Sequence, residues 1–161
     1  MADAKFTVNG KTVLVDDDAR HLFSKYTWRY EARTRKHYVC ASTTKNGKRI
    51  SLYLHRMVLG ASKGEIVDHI NGDTLDNRRC NLRMVTTRQN NLNSEKKPSK
   101  YGNRFRGIQK RSNGFSSQIR VNGKILWLGI FGTDAEAAYR YDLASLLHHG
   151  EYGRRNFLPF V

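Results

Sequence analysis

The dipeptide Asn-Gly occurs five times in this chain of 161 residues, and it constrains the fold more than any other feature of the sequence. Both residues tolerate a positive φ, so Asn-Gly between two alternating apolar segments favours a tight β-hairpin. Three of the five dipeptides lie between such segments: Asn9-Gly10, Asn46-Gly47 and Asn122-Gly123. The sequence therefore predicts three antiparallel hairpins, over residues 6–14, 38–53 and 115–130.

Local signals also predict three helices. A short helix is expected over residues 17–25, because three consecutive acidic residues stand at its positive N-terminal end. Two Thr-x-x-Gln/Glu sequences have capping-box spacing, and they predict the starts of helices over residues 87–95 and 134–149. Gly150 is expected to end the last helix. Hairpins with a few segregated helices indicate the α+β fold class.

The charge of the chain indicates a polyanionic partner. Lys and Arg number 29 against 14 Asp and Glu, a formal net charge of +15. Such an excess favours nucleic acid over other partners. Residues 96–133 contain nine basic residues, no acidic residue and several interleaved aromatic residues. A long block of one sign is typical of an interaction surface, although a merely solvated face is the alternative.

Other classes of protein are excluded by composition. Cys40 and Cys80 cannot form a disulfide framework or a CxxC metal site, which indicates a reducing compartment. The longest apolar run, residues 125–131, is far shorter than a membrane span, so no membrane partner is expected. The first residues lack the charged and then apolar build of a signal peptide.

The middle of the chain carries residues suited to metal-assisted hydrolysis. An apolar strand ends in Asp68 and His69, a polar loop follows, and residues 82–85 form a second strand before the helix at 87–95. Carboxylate and amide oxygens suit a hard cation such as Mg²⁺, and the imidazole is left as a base. Zinc would require Cys or His ligands at tetrahedral spacing. The alternative is a structural Asp-His hydrogen bond beside Asn-rich turns.

Residues 54–94 resemble the HNH (ββα-metal) endonucleases, and within them the phage and intron homing-nuclease branch. The resemblance is specific because residue types and spacings agree together. It is carried by Leu54-His55-Arg56, Asp68-His69-Ile-Asn-Gly-Asp73, Asp76-Asn77-Arg78, Asn81-Leu82-Arg83 and Asn90-Asn91.

The resemblance implies a role for four residues. His69 corresponds to the general base, and Asn81 to the residue that fixes the loop and the orientation of the imidazole. Asn90 corresponds to a metal ligand alongside Asp68, at a position where many relatives have His and the homing branch commonly has Asn. The implied cofactor is Mg²⁺, with Mn²⁺ as a substitute.

The residues alone, without the resemblance, leave three assignments open. Adjacent strand residues point to opposite faces, so Asp68 and His69 share a site only if the strand bends or ends there. Asn91 and Asn93 are alternatives to Asn90, since only the resemblance selects Asn90. His55 either braces the site or is a packed structural residue.

The C-terminal segment predicts a sheet packed on a helix. Residues 115–121 alternate between apolar and polar side chains, and residues 137–145 present small residues at helical spacing. Such a helix can lie close on one face of a three-stranded antiparallel sheet. The other face is then free and basic, and a β-sheet can enter the major groove of DNA.

Residues 103–158 resemble the ethylene-response-factor (APETALA-type) DNA-binding domain. The resemblance is carried by Arg106-Gly107-Ile108, residues 115–120, Trp127-Leu128-Gly129, Glu136-Ala137-Ala138, Tyr141-Asp142 and Asn156-Phe157. It implies that the DNA-reading sheet carries Arg106, Gln109, Arg111, Gln118, Arg120, Ile125 and Trp127. Gln109 and Ile125 stand where the plant family usually has Arg, so the GC-rich target of that family is not carried over. A core position is the alternative for Trp127.

The predicted organisation has four parts. Residues 1–53 form a β-rich lead-in that contacts DNA or serves as scaffold, and residues 54–95 form the HNH ββα-metal nuclease unit. Residues 96–102 form a basic linker, and residues 103–161 form the DNA-binding domain.

The sequence therefore predicts a metal-dependent DNA endonuclease of the homing type that hydrolyses a phosphodiester in double-stranded DNA. It is expected to act as a monomer or homodimer without a further protein partner, in the host cytoplasm if it is phage-encoded. Two alternatives stay open: a DNA-binding regulator with an inactive nuclease site, and a protein that binds or cleaves RNA, whose groove geometry differs.

Overall fold

The computed structural model describes residues 3–33, 36–94 and 104–157. The chain divides into two compact units, Met1–Thr87 and Arg88–Val161, each of which is described by itself. The strands are β1 (Asp3–Val8), β2 (Lys11–Asp16), β3 (Arg29–Arg33), β4 (Lys36–Lys45), β5 (Lys48–Tyr53), β6 (Ile66–His69), β7 (Leu82–Val85), β8 (Ile108–Arg111), β9 (Gly114–Val121) and β10 (Lys124–Phe131). The helices are α1 (His21–Lys25), α2 (Leu54–Val58), α3 (Thr87–Asn93) and α4 (Asp134–His149).

The three predicted hairpins are confirmed, and their turns have the expected backbone. Asn9, Asn46 and Asn122 have φ values of 48°, 50° and 49°, and the glycine after each is also at positive φ. Two consecutive residues at positive φ make a type I′ turn, whose twist matches the twist of the strands it joins. All the paired strands are antiparallel, in small sheets of two or three strands, and the α+β class is confirmed.

The N-terminal unit has one apolar core to which all of its sheets contribute. Val13 and Val15 from β2, Val39 from β4, Leu54 from α2 and Leu82 from β7 are buried together in it. Residues of the lead-in and residues of the nuclease-like segment therefore fold as one body. This arrangement supports the scaffold role predicted for residues 1–53, while their contact with DNA stays a prediction.

Strand β2 also anchors the loop between β6 and β7. The Leu14 N–H donates to the Leu75 carbonyl at 2.9 Å, and the Asn77 N–H donates to the Leu14 carbonyl at 2.8 Å. Two residues further along β2, the buried carboxylate of Asp16 accepts from the Arg79 N–H at 2.8 Å. The polar loop is thus held along the edge of a strand that lies more than fifty residues earlier in the chain.

The C-terminal unit is a three-stranded sheet in the order β10-β9-β8, with α4 against one face. Ile108 and Ile119 pack on Ala137, Ala138 and Tyr141, so the small residues of the helix allow close contact as predicted. Helix α4 begins with the predicted capping box between Thr133 and Glu136 and ends at Gly150, whose φ is 57°. The sheet packed on one helix is confirmed.

The predicted helix over residues 17–25 is split in two. Asp17–Ala19 form a 3-10 turn, and the Phe23 N–H donates to the Arg20 carbonyl three residues back at 2.9 Å. The hydrogen bonds of the segment therefore form short turns instead of one continuous helix. The Trp28 indole N–H donates to the Leu22 carbonyl at 2.9 Å. Acidic residues at a helix start do not by themselves extend a helix.

Helix α2 has five residues and carries no cap signal in the sequence, so it was not predicted. Helix α3 begins where the capping-box spacing placed it and ends at Asn93. The predicted last residue of this helix, Glu95, and the predicted linker at 96–102 lie outside the described residues. Among the helices of the described ranges, none has the length and apolar character needed to cross a membrane.

Removal of the Asp16 carboxylate is expected to destabilise the N-terminal unit. In Asp16→Ala the Arg79 N–H loses a charged acceptor, so the free energy of unfolding should fall by about 2 kcal/mol. Asp17→Ala is the matched control, because the Asp17–Arg20 ion pair is solvent-exposed and such pairs contribute little. Urea unfolding followed by circular dichroism measures both variants, and an equal loss in the two would contradict the anchoring role.

Candidate functional site

Asp68 and His69 are the last two residues of β6, which pairs with β7 in antiparallel register. Both side chains are buried, at 5% exposure each. The strand ends at His69, and Asp68 and His69 pair with Arg83 and Leu82 as the last two residues of its ladder. That the two residues serve one site stays a prediction. The next residue, Ile70, donates its N–H to the Asn81 carbonyl at 2.8 Å and so starts the loop.

Asn81 braces both ends of this loop. Its Oδ1 accepts from the Asn71 N–H at 3.0 Å, and its Nδ2 donates to the Asp76 carbonyl at 2.8 Å. The side chain is buried, so these hydrogen bonds are shielded from water. The geometry agrees with the loop-fixing part of the role that the resemblance implies for Asn81.

The orientation of the His69 ring involves Asn77, a residue of the HNH-like motif for which the resemblance implied no separate role. Asn77 is fully buried, and its Nδ2 donates to the Thr74 carbonyl at 3.1 Å. That bond orients the amide so that Oδ1 faces the ring, 3.4 Å from His69 Nε2. Since Oδ1 can only accept, Nε2 carries the proton and Nδ1 is the proton-accepting nitrogen of the neutral ring.

Two further rings enclose His69. The His55 ring lies at a centroid distance of 5.1 Å in an edge-on arrangement, and the Tyr38 ring lies 6.4 Å from His69 and 5.2 Å from His55. His55 is both a packed residue and a neighbour of the predicted base, so the two alternatives for it are compatible. Tyr38 belongs to β4, and no spacing in the sequence connects it with the motif.

Burial controls the protonation of this aromatic cluster. Desolvation, followed by the charges of His69 and Arg56, lowers the pKa of His55 to about 3, so this imidazole is neutral at pH 7. Burial raises the pKa of the Tyr38 phenol, and the negative charge of Asp68 raises it further. The charge of Asp68 therefore acts on Tyr38, whose ring is also a neighbour of the His69 ring.

The carboxylate of Asp68 is hydrogen-bonded by Arg83, its cross-strand partner on β7. Asp68 Oδ2 accepts from Arg83 Nε at 3.3 Å and from Arg83 Nη2 at 3.2 Å, and both side chains are largely buried.

At the periphery of the loop, Arg78 binds both oxygens of Asp76 at 2.8 Å and also reaches Asp3. Hydrogen bonds from Arg78 lower the pKa of Asp76.

The residues predicted to hold the metal, Asp68 and Asn90, offer oxygen ligands. Within the described ranges, no three His, Cys, Asp or Glu side chains are grouped so that they could hold a metal. A single buried carboxylate such as Asp68 is the kind of ligand that Mg²⁺ uses, because this ion keeps several waters and accepts phosphate oxygens. Asn90 lies on α3 in the C-terminal unit and is half-buried, Asn91 is exposed and Asn93 is buried. The ligand roles of Asp68 and Asn90 stay predictions.

The C-terminal sheet collects most of the predicted DNA-binding residues on its free face. Cross-strand partners share a face, and the register pairs Gln109 with Ser116, Arg120 with Ile125 and Gln118 with Trp127. Arg111 joins them, since its Nη2 donates to Gln109 Oε1 at 2.8 Å. The intervening residues, including Ile108 and Ile119, face α4.

Trp127 and Arg106 are two of the predicted DNA-binding residues, and their surroundings differ. Trp127 has 52% of its surface exposed, so it is not a core residue. Arg106 precedes β8, and its guanidinium donates to the Ser94 carbonyl. Burial raises the pKa of Tyr141 on α4, and the charge of Arg106 and a hydrogen bond from it oppose this rise. The structure therefore does not bring Arg106 onto the free face with the other six, and its contact with DNA stays a prediction.

Comparison with known proteins gives matches for two parts of the chain. Residues 53–92 match the family model described as HNH endonuclease. This segment is therefore similar to an HNH endonuclease domain. The chain is also 30% identical over 95 residues to an uncharacterised HNH endonuclease of Acanthamoeba polyphaga mimivirus, a match that covers 58% of this chain and 48% of the viral protein.

A second relative is a plant protein. The chain is 42% identical over 65 residues to the dehydration-responsive element-binding protein 2E of Arabidopsis thaliana, which covers 34% of this chain and 27% of the plant protein. The chain thus spans about half of the viral relative and about a quarter of the plant relative. No solved structure matches the chain.

The burial of His55 predicts how stability depends on pH. The folded-state pKa lies below the unfolded value of 6.5, so the stabilisation is present above pH 6.5 and is lost as the pH falls toward about 3. Over this range His55 should contribute a slope of about 1.4 kcal/mol per pH unit to the free energy of unfolding. His55→Gln should remove that slope, as measured by urea unfolding at a series of pH values.

The exposed His37 provides the matched control, since His37→Gln should keep the wild-type slope. If His55→Gln and the wild type lose stability equally between pH 6.5 and 4, the burial of a neutral His55 does not account for the acid sensitivity.

Proposed function

We propose that the protein is a metal-dependent DNA endonuclease of the homing type, which hydrolyses a phosphodiester in double-stranded DNA. The observation that carries the proposal is the buried Asp68–His69 pair at the end of β6, within the segment that is similar to an HNH endonuclease domain. A carboxylate beside an oriented imidazole combines an anchor for a cation with a base for the attacking water.

In this proposal His69 takes the proton of the attacking water through Nδ1. The hydrogen bond between Nε2 and Asn77 holds the ring in the required tautomer, and the rings of His55 and Tyr38 restrict its movement. Because His55 is neutral at pH 7, it adds no positive charge that would oppose protonation of His69. Asn81 acts indirectly, by keeping the loop that carries Asn77 in place.

Asp68 is the metal ligand that we propose in the N-terminal unit, and the family resemblance adds Asn90. Bound Mg²⁺, or Mn²⁺ in its place, supplies positive charge beside the scissile phosphate.

The C-terminal unit is proposed to bind the DNA target, as an ethylene-response-factor-like domain. The support is the free face of its sheet, which presents Arg111, Arg120 and Trp127 within a stretch of the chain that has no acidic residue. The plant relative is named as a dehydration-responsive element-binding protein, and it matches over 65 residues. A basic sheet face fits the width of a major groove.

An inactive DNA-binding regulator is the second candidate function. The observation that favours it is the ion pair between Asp68 and Arg83, in which a guanidinium supplies the positive charge beside the carboxylate. An arginine that neutralises the predicted ligand competes with a metal ion. The cleavage assay below separates the two candidates.

The proposed base predicts the outcome of a plasmid-nicking assay. The full chain should convert supercoiled plasmid to the nicked or linear form with Mg²⁺, and EDTA should stop the reaction. His69→Ala should lower the cleavage rate by at least about 10²-fold, because a general base contributes that much or more. Binding of a DNA duplex in EDTA should be nearly unchanged.

His37→Ala serves as the control for loss of a histidine from the same unit, since His37 is exposed, and it should cleave at the wild-type rate. Normal cleavage by His69→Ala would show that another group is the base. A wild-type chain that binds DNA but never nicks it, with any divalent ion, would favour the regulator.

The proposed interface predicts a strong dependence on salt. The logarithm of the binding constant should fall linearly with the logarithm of the salt concentration, with a slope of about −0.9 for each phosphate neutralised. Arg120→Gln should reduce the slope by about one phosphate, whereas Trp127→Ala should weaken binding without a change of slope. Fluorescence anisotropy of a labelled duplex measures both, and structured RNA at the same salt tests the RNA alternative.

A further inference from the structure

We propose that the free face of the C-terminal sheet recognises A·T base pairs through the methyl group of thymine, and that Ile125 is the residue that contacts it. The inference rests on the proposed function, in which this face binds duplex DNA. It adds the chemical basis of target preference, which the nuclease assignment does not specify.

The apolar strip consists of Ile125, Trp127 and Ile130 on β10. These side chains are 58%, 52% and 44% exposed, and the register places them on the face away from α4, opposite Arg120, Gln118 and Ser116. Large apolar side chains grouped on an exposed surface indicate a contact site rather than a core.

The charge around the apolar strip limits what can cover it. Arg111 and Arg120 lie on the same face, and residues 96–133 contain no acidic residue. The partner must therefore combine negative charge with accessible apolar groups. Duplex DNA meets both requirements, because its phosphates flank a major groove in which thymine presents a methyl group.

The arginines of the face are directed away from Ile125. Arg111 is held at the β8 side by Gln109 Oε1 at 2.8 Å and by Ser116 Oγ at 3.3 Å. Arg120, the cross-strand neighbour of Ile125, donates from Nη1 to the Gly123 carbonyl at 3.1 Å, toward the β9–β10 turn. The surface at Ile125 is therefore left to an apolar contact.

Only one base edge suits such a contact. In the major groove, guanine, adenine and cytosine present hydrogen-bonding groups, whereas thymine also presents its C5 methyl group. A branched aliphatic side chain cannot satisfy a donor or an acceptor, but it buries a methyl group well. Ile125 should therefore favour thymine at the base step that it faces.

The experiment removes the methyl group and nothing else. The preferred duplex is first selected from a randomised library by the full-length protein in EDTA, so that no cleavage occurs. Each thymine in the selected site is then replaced singly by deoxyuridine, and the affinity is measured by fluorescence anisotropy. At one or two positions the loss of the methyl group should weaken binding by about fourfold.

Two substitutions assign the effect to Ile125. In Ile125→Ala the penalty for deoxyuridine at that position should disappear, whereas Ile50→Ala, which removes a part-exposed isoleucine of the N-terminal unit, should keep it. In Ile125→Arg a repeated selection should replace thymine by guanine at that position, because arginine pairs with the O6 and N7 atoms of guanine.

The possible failures are distinguishable. Salt-dependent duplex binding with equal affinity for thymine and deoxyuridine at every position would overturn the inference and leave the proposed function standing. A deoxyuridine penalty that persists in Ile125→Ala would also overturn it. No binding to duplex DNA, or tighter binding to structured RNA, would remove both the inference and the DNA-binding part of the proposed function.

Discussion

The N-terminal unit depends on the burial of Asn77, which connects the scaffold with the candidate base. Its backbone N–H donates to the Leu14 carbonyl on β2, and its side chain holds both the Thr74 carbonyl and the ring of His69. A buried amide must satisfy its donors and its acceptor, so its partners have little freedom. The position of His69 is consequently tied to a strand from the first twenty residues of the chain.

This connection explains why the site extends beyond the segment that matches the HNH family model. That match begins at residue 53, yet Leu14 anchors the loop and Tyr38 lies beside His69. The apolar core likewise joins Val13 and Val39 with Leu54 and Leu82. The family segment is too short to bury a core of its own, so the preceding sheets supply one.

The two faces of the C-terminal sheet have different surroundings. The face with Ile108 and Ile119 packs on α4, and the opposite face carries charge and exposed apolar side chains. The stability of the unit therefore depends on residues of the face that packs on α4. Residues of the free face, such as Gln109 and Ile125, lie outside this core and can change without loss of the fold.

The features that could be predicted from the sequence alone arise from interactions between residues close together in the chain. Asn-Gly turns placed three hairpins, and the Thr133–Glu136 capping box placed the start of α4. Residue spacing made Asp68, His69 and Asn81 candidate site residues, and their roles stay predictions. These signals act within a few residues, so no knowledge of the packing is needed. The tertiary structure alone decided that β6 ends at His69, that Tyr38 and Asn77 adjoin this residue, that Arg83 pairs with Asp68 and that Arg106 turns toward Tyr141. Most of these contacts join residues far apart in the chain, and all of them depend on burial, strand register and core packing, which no short sequence pattern specifies.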